Sequence, residues 1–151
     1  MRYSLTAFAF ALAAFAAHAA SPEMTKEGAV RYFCGGIGAD ERKAMQALEP
    51  RANLKLLFVT IKRGGYLAGA EVTISDGKAT RFMAVADGPI CLLELPTGSY
   101  RVTAVIGGLT RSAQVSASVQ TGKPREVVFS FPGEAWDGIW ASDEEKKQAA
   151  E

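Results

Sequence analysis

Alternation of apolar and polar residues with a period of two is the feature that most constrains the fold, and it extends over residues 53–131. In residues 113–119, alanine and valine alternate with serine and glutamine, which is typical of an antiparallel strand with one face in solvent. Residues 54–62 are instead mostly apolar. That run favours a central strand that is buried on both faces.

Turns that contain Gly, Pro and Asp separate the apolar segments. They recur about every ten residues and predict about seven short strands, which indicates an all-β fold, an antiparallel β-sandwich rather than an α/β fold. The length of 151 residues suits one domain, and we assign residues 51–131 to the sandwich. The other predicted strands cover residues 71–75, 79–86, 90–95, 100–106, 113–119 and 127–131.

Residues 20–50 have a different pattern and form a predicted amino-terminal extension. Residues 29–34 predict a short strand, and residues 39–48 predict a helix that begins near Asp40 and ends before Pro50. A glycine-rich turn before a helix is also a place where phosphates bind. Here the spacing matches neither dinucleotide nor P-loop motifs, and Asp40 and Glu41 place negative charge at that position. We therefore interpret the segment as a tight turn.

Residues 1–19 have the pattern of a secretory signal peptide. Arg2 provides a positive start, an apolar run follows, and Ala17-His18-Ala19 predicts cleavage after Ala19, with Ala20 as the second choice. A membrane-anchoring helix is the alternative, but the apolar run is shorter than the ~20 residues that a span requires. We therefore expect a periplasmic or secreted protein that has no membrane span after cleavage.

Cleavage would change the charge and the chemistry of the chain. The 17 basic residues lose Arg2, which leaves 16 against 16 acidic residues, so no net positive charge would attract nucleic acid. His18 is the single histidine and would leave with the signal peptide. The mature chain would then lack histidine pairs for nucleophilic catalysis and histidine ligands for metals. We predict no catalytic residues, no cofactor and no metal site.

Cys34 and Cys91 are the only cysteines. An even number in an exported protein favours a disulfide, which would close a loop of about 58 residues and contribute about 4 kcal/mol. Two alternatives stay open. Both cysteines could be buried thiols, or one could be a reactive thiolate beside a Lys, an Arg or a helix N-terminus.

Residues 132–151 form a predicted tail that contains Trp136 and Trp140 and then a run of charged residues. Two interpretations of the tryptophans stay open: they hold the tail against the sandwich, or they form an exposed aromatic pair for a sugar or a protein. Tyr66 and Phe82 are further candidate contact residues because they are aromatic and near turns.

Three segments carry a resemblance to a known family. Residues 65–74 read Gly-Tyr-Leu-Ala-Gly-Ala-Glu-Val-Thr-Ile, Asp87-Gly88 follows, and residues 95–104 read Leu-Pro-Thr-Gly-Ser-Tyr-Arg-Val-Thr-Ala. This pattern resembles the carboxypeptidase regulatory-like domain family. Residues 28–47, which contain Gly-Gly-Ile-Gly-Ala-Asp-Glu-Arg, also resemble the amino-terminal part of its small exported proteobacterial members. The resemblance implies a transthyretin-like (prealbumin-like) Greek-key β-sandwich and a non-catalytic accessory role. Hydroxyisourate hydrolases share that fold but depend on histidines and a carboxyl-terminal Tyr-Arg-Gly-Ser, which the mature chain lacks.

These observations lead to one main functional expectation and two alternatives. We expect a non-catalytic exported module that binds a periplasmic protein or a glycan. The first alternative is a histidine-independent hydrolase, for which the candidate acids are Asp40, Glu41, Asp76 and Asp87, although helix-start and turn positions also explain these residues. The second alternative is an assembly subunit that pairs an edge strand with a partner.

Overall fold

The computed structural model describes residues 22–62, 64–119 and 122–133. Within these residues the chain forms nine β-strands and one α-helix, followed by a 3₁₀ turn at Glu49–Arg51. The elements are β1 (Thr25–Glu27), β2 (Val30–Gly35), α1 (Ala39–Leu48), β3 (Leu54–Thr60), β4 (Glu71–Ser75), β5 (Thr80–Val85), β6 (Ile90–Glu94), β7 (Gly98–Ile106), β8 (Leu109–Ala117) and β9 (Arg125–Phe131). The predicted count of seven strands in the sandwich is corrected to nine. Strand β2 matches the strand predicted at residues 29–34 but belongs to the sandwich, and β1 was not predicted.

The strands form two sheets. The five-stranded sheet has the order β1-β2-β6-β3-β9, and the four-stranded sheet has the order β5-β4-β7-β8. Every neighbouring pair is antiparallel except β3 and β9, which run parallel in register from Leu54 opposite Arg125 to Thr60 opposite Phe131. The prediction of a purely antiparallel fold is corrected here. A period-two pattern shows which face a residue occupies but contains no information on the direction of the partner strand.

The inner faces of the two sheets share one hydrophobic core. Its largest side chains are fully buried and come from both sheets. Phe58 stacks on Phe129 with ring centroids 6.0 Å apart, and every second residue of β3 and of β7 points into this core. The described residues therefore form an all-β sandwich in which alternation places the apolar side chains inside.

Helix α1 covers part of the outer face of the five-stranded sheet. Met45 and Leu48 of α1 are buried against Leu92 of β6. Since Cys91 and Leu93 point into the sandwich core, β6 is buried on both of its faces. Two-sided burial was expected for residues 54–62, yet Leu57 and Val59 on the outer face of β3 are only half-buried.

The helix coincides with its predicted range, Ala39–Leu48. Gly38 occupies the N-cap and Asp40 lies in the first turn. Pro50 does not stop the chain at once, because it sits in the 3₁₀ turn that follows, where its missing N–H costs nothing. A membrane-spanning helix is not found in the described part of the chain, where α1 has only ten residues.

At two positions, the backbone conformation or the close packing of another segment requires glycine. Gly69 has φ of +80°, a conformation that L side chains rarely adopt, and it opens the segment that enters β4. Gly88 lies against the backbone of Gly35, so that a β-carbon at position 88 would collide with the Gly35 carbonyl group. The loop between β5 and β6 therefore packs closely against the end of β2.

Candidate contact surfaces

Cys34 and Cys91 form a disulfide, which confirms the predicted bridge and excludes the two thiol alternatives. They lie directly opposite each other on β2 and β6, with Cα atoms 4.1 Å apart. Cys91 is 1% exposed and belongs to the core. The bridge is therefore structural, and it ties β2 covalently to the centre of the five-stranded sheet.

The predicted aromatic contact residues fall in different places. Tyr66 is 67% exposed and pairs with Val59 through an isolated bridge. Phe82 is 2% exposed, and its ring meets that of Tyr32 edge-on at 4.8 Å. The prediction of a surface role for Phe82 is corrected, because its position on β5 points it into the core. Trp136 and Trp140 lie outside the described residues, as do the predicted signal peptide and His18.

The candidate acids Asp76 and Asp87 do not lie together. Asp76 precedes β5 and Asp87 follows it, so the length of that strand separates them. The Glu41 carboxylate accepts hydrogen bonds from the N–H groups of Gly36, at 2.9 Å, and Ile37, at 3.1 Å. The donors of the glycine-rich turn are therefore occupied by a side chain of the same protein. Among the described residues, no group of three or more His, Cys, Asp or Glu is placed to hold a metal ion.

Three turns meet at one end of the sandwich and form a surface that we call the polar groove. It consists of two hollows, of about 620 and 440 Å³, that share Gly28, Ala29 and Pro96. The first hollow is also lined by three charged residues, Lys26, Arg31 and Glu94. The second is also lined by Asp76, Arg81 and Tyr100. Charges of both signs therefore surround exposed backbone at this end.

Asp76 and Arg81 form the closest ion pair at the groove, with Oδ2 and Nε 2.6 Å apart. The other carboxylate oxygen accepts the backbone N–H groups of Lys78, at 3.0 Å, and Ala79, at 3.1 Å. These two N–H donors and then the Arg81 guanidinium lower the pKa of Asp76 to about 2. Asp76 is therefore ionised at neutral pH and is poorly suited to proton transfer there.

Arg31 and Glu94 face each other across β2 and β6. Their Nη1 and Oε2 atoms are 3.9 Å apart, which is too long for a hydrogen bond. Glu94 Oε2 is covered from solvent and has no hydrogen-bond partner among the described residues, although the side chain as a whole is 43% exposed. The interaction between the two side chains is therefore electrostatic.

Tyr100 forms the floor of the second hollow. Its hydroxyl donates a hydrogen bond to the Pro96 carbonyl oxygen at 2.7 Å, and the residue is 6% exposed. Burial, together with the negative charge of Asp76, raises the pKa of Tyr100. The phenol therefore stays protonated at neutral pH and fixes the turn between β6 and β7.

Asn53 is a residue that sequence reasoning missed. Its side-chain amide donates to the carbonyl oxygens of Leu95, at 2.7 Å, and Ser118, at 3.1 Å, and its Oδ1 accepts the Leu95 N–H at 2.9 Å. Asn53 thus joins the start of β3 to the segments that follow β6 and β8. These partners are 42 and 65 residues away, so no local pattern could reveal them.

The charged pair Arg31 and Glu94 of the groove was missed for the same reason. Arg31 and Glu94 become neighbours only through the register of β2 and β6.

The sequence matches no protein-family model, and no curated protein is significantly similar to it. The case for a function therefore depends on the geometry of this site.

Proposed function

We propose that this chain is a non-catalytic, exported binding module that holds a protein partner in the polar groove. The observation that carries the proposal is the convergence of three turns at one end of the sandwich, where charges of both signs border exposed backbone. Complementary charges select a partner and orient it. Exposed turn backbone supplies further donors and acceptors for a peptide segment.

The state of the groove's titratable groups supports binding rather than catalysis. The low pKa of Asp76 keeps it ionised, and Arg81 compensates its charge. The Tyr100 hydroxyl is committed to Pro96. Neither group is suited to exchange a proton near neutral pH, so the groove favours recognition over acid–base chemistry.

Export is the second part of the proposal. The signal-peptide pattern of residues 1–19 supports it, and the Cys34–Cys91 disulfide is compatible with it, because such bonds persist in oxidising compartments. We propose the periplasm, or the outside of the cell, as the location.

The family resemblance is the third part. We propose that residues 51–131 are a carboxypeptidase regulatory-like domain with the transthyretin-like Greek-key arrangement. Two of the motif residues have roles that suit this assignment: Gly69 has a positive φ, and Tyr100 is bonded to Pro96. The chain also passes from the four-stranded to the five-stranded sheet between β5 and β6 and returns at β7, which supports the arrangement.

The test compares two exposed alanines. Ala29→Trp places a large side chain in the groove, and Ala47→Trp places the same side chain on the exposed face of α1. Tagged mature protein is incubated with periplasmic extract, and the retained proteins are identified by mass spectrometry. We expect one protein that is retained by the wild type and by Ala47→Trp and is reduced at least about tenfold by Ala29→Trp, a loss of about 1.4 kcal/mol.

Equal retention by both variants would contradict a role of the groove. A glycan array probed with the same three proteins covers the other ligand class. A glycan that the wild type and Ala47→Trp bind and that Ala29→Trp does not would replace the protein partner in this proposal.

Assembly through an edge strand is a second candidate function. Strand β5 pairs only with β4 among the described residues, and its outward side chains Met83 and Val85 are 62% and 59% exposed. Unpaired strand edges can add a strand from another chain. If this function holds, light scattering will show an oligomer that Met83→Lys reduces to a monomer. A monomeric wild type would remove this candidate.

A further inference from the structure

Three charged side chains form a row across the outer face of the five-stranded sheet, inside the polar groove. Lys26 of β1 lies opposite Arg31 of β2, and Arg31 lies opposite Glu94 of β6. Residues that are directly opposite on neighbouring antiparallel strands point to the same face. All three line the hollow of about 620 Å³. This hollow therefore contains two cations and one carboxylate.

The two cations of the row are neighbours of like charge. Like charges that are directly opposite on two strands destabilise a sheet. The carboxylate of Glu94 can balance only one of them: its Oε2 lies 3.9 Å from Arg31 Nη1, and Lys26 forms no ion pair within the described part of the chain. The first hollow therefore has an excess of positive charge.

The charges of the second hollow are compensated within the protein. Asp76 and Arg81 form an ion pair with each other, and the backbone N–H groups of Lys78 and Ala79 also donate to the Asp76 carboxylate. A charged group of a partner would gain little there. The charge selectivity of the groove therefore comes from Lys26 and Arg31.

We propose that the polar groove binds an acidic segment of its protein partner, with an aspartate or glutamate carboxylate between Lys26 and Arg31. The inference rests on the proposed function and names the chemistry of the partner. A carboxylate at this position balances the charge of the first hollow and replaces the repulsion between the two cations by two attractive contacts.

The exposed turn beside the row favours a peptide over an acidic polysaccharide. Gly28 and Ala29 line both hollows, so their backbone amide groups are next to the place proposed for the carboxylate. A peptide segment has amide donors and acceptors of its own, spaced as in the turn. It can therefore bond this backbone while its acidic side chain contacts the cations.

The test measures the binding of a fluorescently labelled oligo-glutamate to the mature protein by anisotropy. An oligo-glutamine and an oligo-lysine of equal length are the matched peptides. We expect saturable binding of oligo-glutamate that weakens as the salt concentration rises, and no binding of the other two. In amide NMR spectra of the protein, the signals of Lys26, Gly28 and Arg31 should shift on addition of oligo-glutamate.

Two substitutions in the row have opposite expected effects. Lys26→Gln removes one cation and should weaken oligo-glutamate binding about threefold, as expected for the loss of one partly exposed ion pair. Glu94→Gln removes the competing carboxylate and should strengthen the binding by a similar factor. Urea unfolding verifies that both variants are folded, and Lys26→Gln should be at least as stable as the wild type because a repulsion is removed.

Two control variants carry the same changes of charge outside the groove. Lys43→Gln removes an exposed cation from α1, and Glu71→Gln removes an exposed carboxylate from β4. Both should bind oligo-glutamate as the wild type does, since neither residue lines the groove.

Three results would overturn the inference. One is the absence of oligo-glutamate binding, and another is an equal loss of binding in Lys26→Gln and Lys43→Gln, which would show a general effect of net charge. The last is tighter binding of an oligo-uronate of equal charge, which would identify an acidic polysaccharide as the ligand. A periplasmic protein whose retention is reduced by Ala29→Trp but not by Lys26→Gln would refute the acidic segment alone and leave the groove as the binding site.

Discussion

The five-stranded and four-stranded sheets differ in how many of their faces are buried. On β6 of the five-stranded sheet, the three successive residues Cys91, Leu92 and Leu93 are at most 1% exposed. On β7 of the four-stranded sheet, only every second residue is buried. Its outer face carries mainly polar side chains, and the hydroxyl oxygens of Thr103 and Ser112 lie 3.1 Å apart across β7 and β8.

The difference shows that consecutive apolar residues in a strand of a sandwich indicate that another element covers its outer face. Helix α1 covers the outer face at β6, so apolar side chains are favourable on both faces there. Nothing covers the outer face of β7 within the described residues, so polar side chains alternate with buried ones. The period of two belongs to the backbone in both cases, and the covering element decides whether the second face is apolar.

The largest expected loss of stability comes from removing the disulfide that links β2 to β6. The double variant Cys34→Ala/Cys91→Ala should lose about 4 kcal/mol of unfolding free energy, because the bridge closes a loop across a sequence separation of 57 residues. Urea denaturation of the oxidised proteins measures this loss. Wild-type protein unfolded in the presence of reductant is the control and should approach the midpoint of the variant. A loss below about 1 kcal/mol would show that the bridge contributes little to stability.

A smaller expected loss of stability distinguishes the outer face of the five-stranded sheet under α1 from the outer face of the four-stranded sheet. Leu92→Ala removes a side chain that is buried under α1 and should cost about 3 kcal/mol through lost burial and a cavity. Met83→Ala removes a side chain that is 62% exposed on β5 of the four-stranded sheet and should change stability by less than about 0.5 kcal/mol. Thermal and urea unfolding of both variants provide the comparison. Equal costs would mean that α1 does not protect the outer face.

The smallest expected effect is the loss of stability when Asp76, in the turn before β5, becomes protonated. The folded pKa of Asp76, about 2, lies below its ordinary value of 3.8. The stabilisation by ionised Asp76 is therefore present above that ordinary value and is lost as the pH falls through about 2. NMR titration of the side-chain carboxyl carbon should give a midpoint near 2.

Arg81→Gln is the matched variant for this titration. It should raise the Asp76 midpoint but leave it below 3.8, because the backbone N–H groups of Lys78 and Ala79 are the larger causes of the low pKa. A wild-type midpoint near 3.8 would show that the turn does not hold the carboxylate as described.

Much of the local structure was predictable because it depends on neighbouring residues. The strands of residues 53–131 follow from alternation, and the helix at Ala39–Leu48 follows from Asp40 near its start and Pro50 after its end. The Cys34–Cys91 bridge follows from an even number of cysteines in a chain with an export signal pattern. Each of these patterns lies within a few residues of the chain or in its composition.

The candidate site was not predictable in the same way. Phe82 is aromatic and near a turn, which suggested the surface, but the register of β5 against β4 places it inside. The polar groove joins residues 26–31, 76–81 and 94–100, and no pattern in any one of these segments indicates the other two. Asn53 likewise gains its partners only when the ends of β6 and β8 arrive beside it.

The amino-acid sequence by itself determined the strands of residues 53–131, the position of the helix and most of the side chains that prefer the interior. The tertiary structure alone decided that β9 runs parallel to β3, that β2 enters the five-stranded sheet and that three turns enclose a groove. The physical reason is the range of the interactions. Backbone propensity and alternation act over a few residues, whereas strand partners and surface hollows are set by contacts between segments that are distant in the chain.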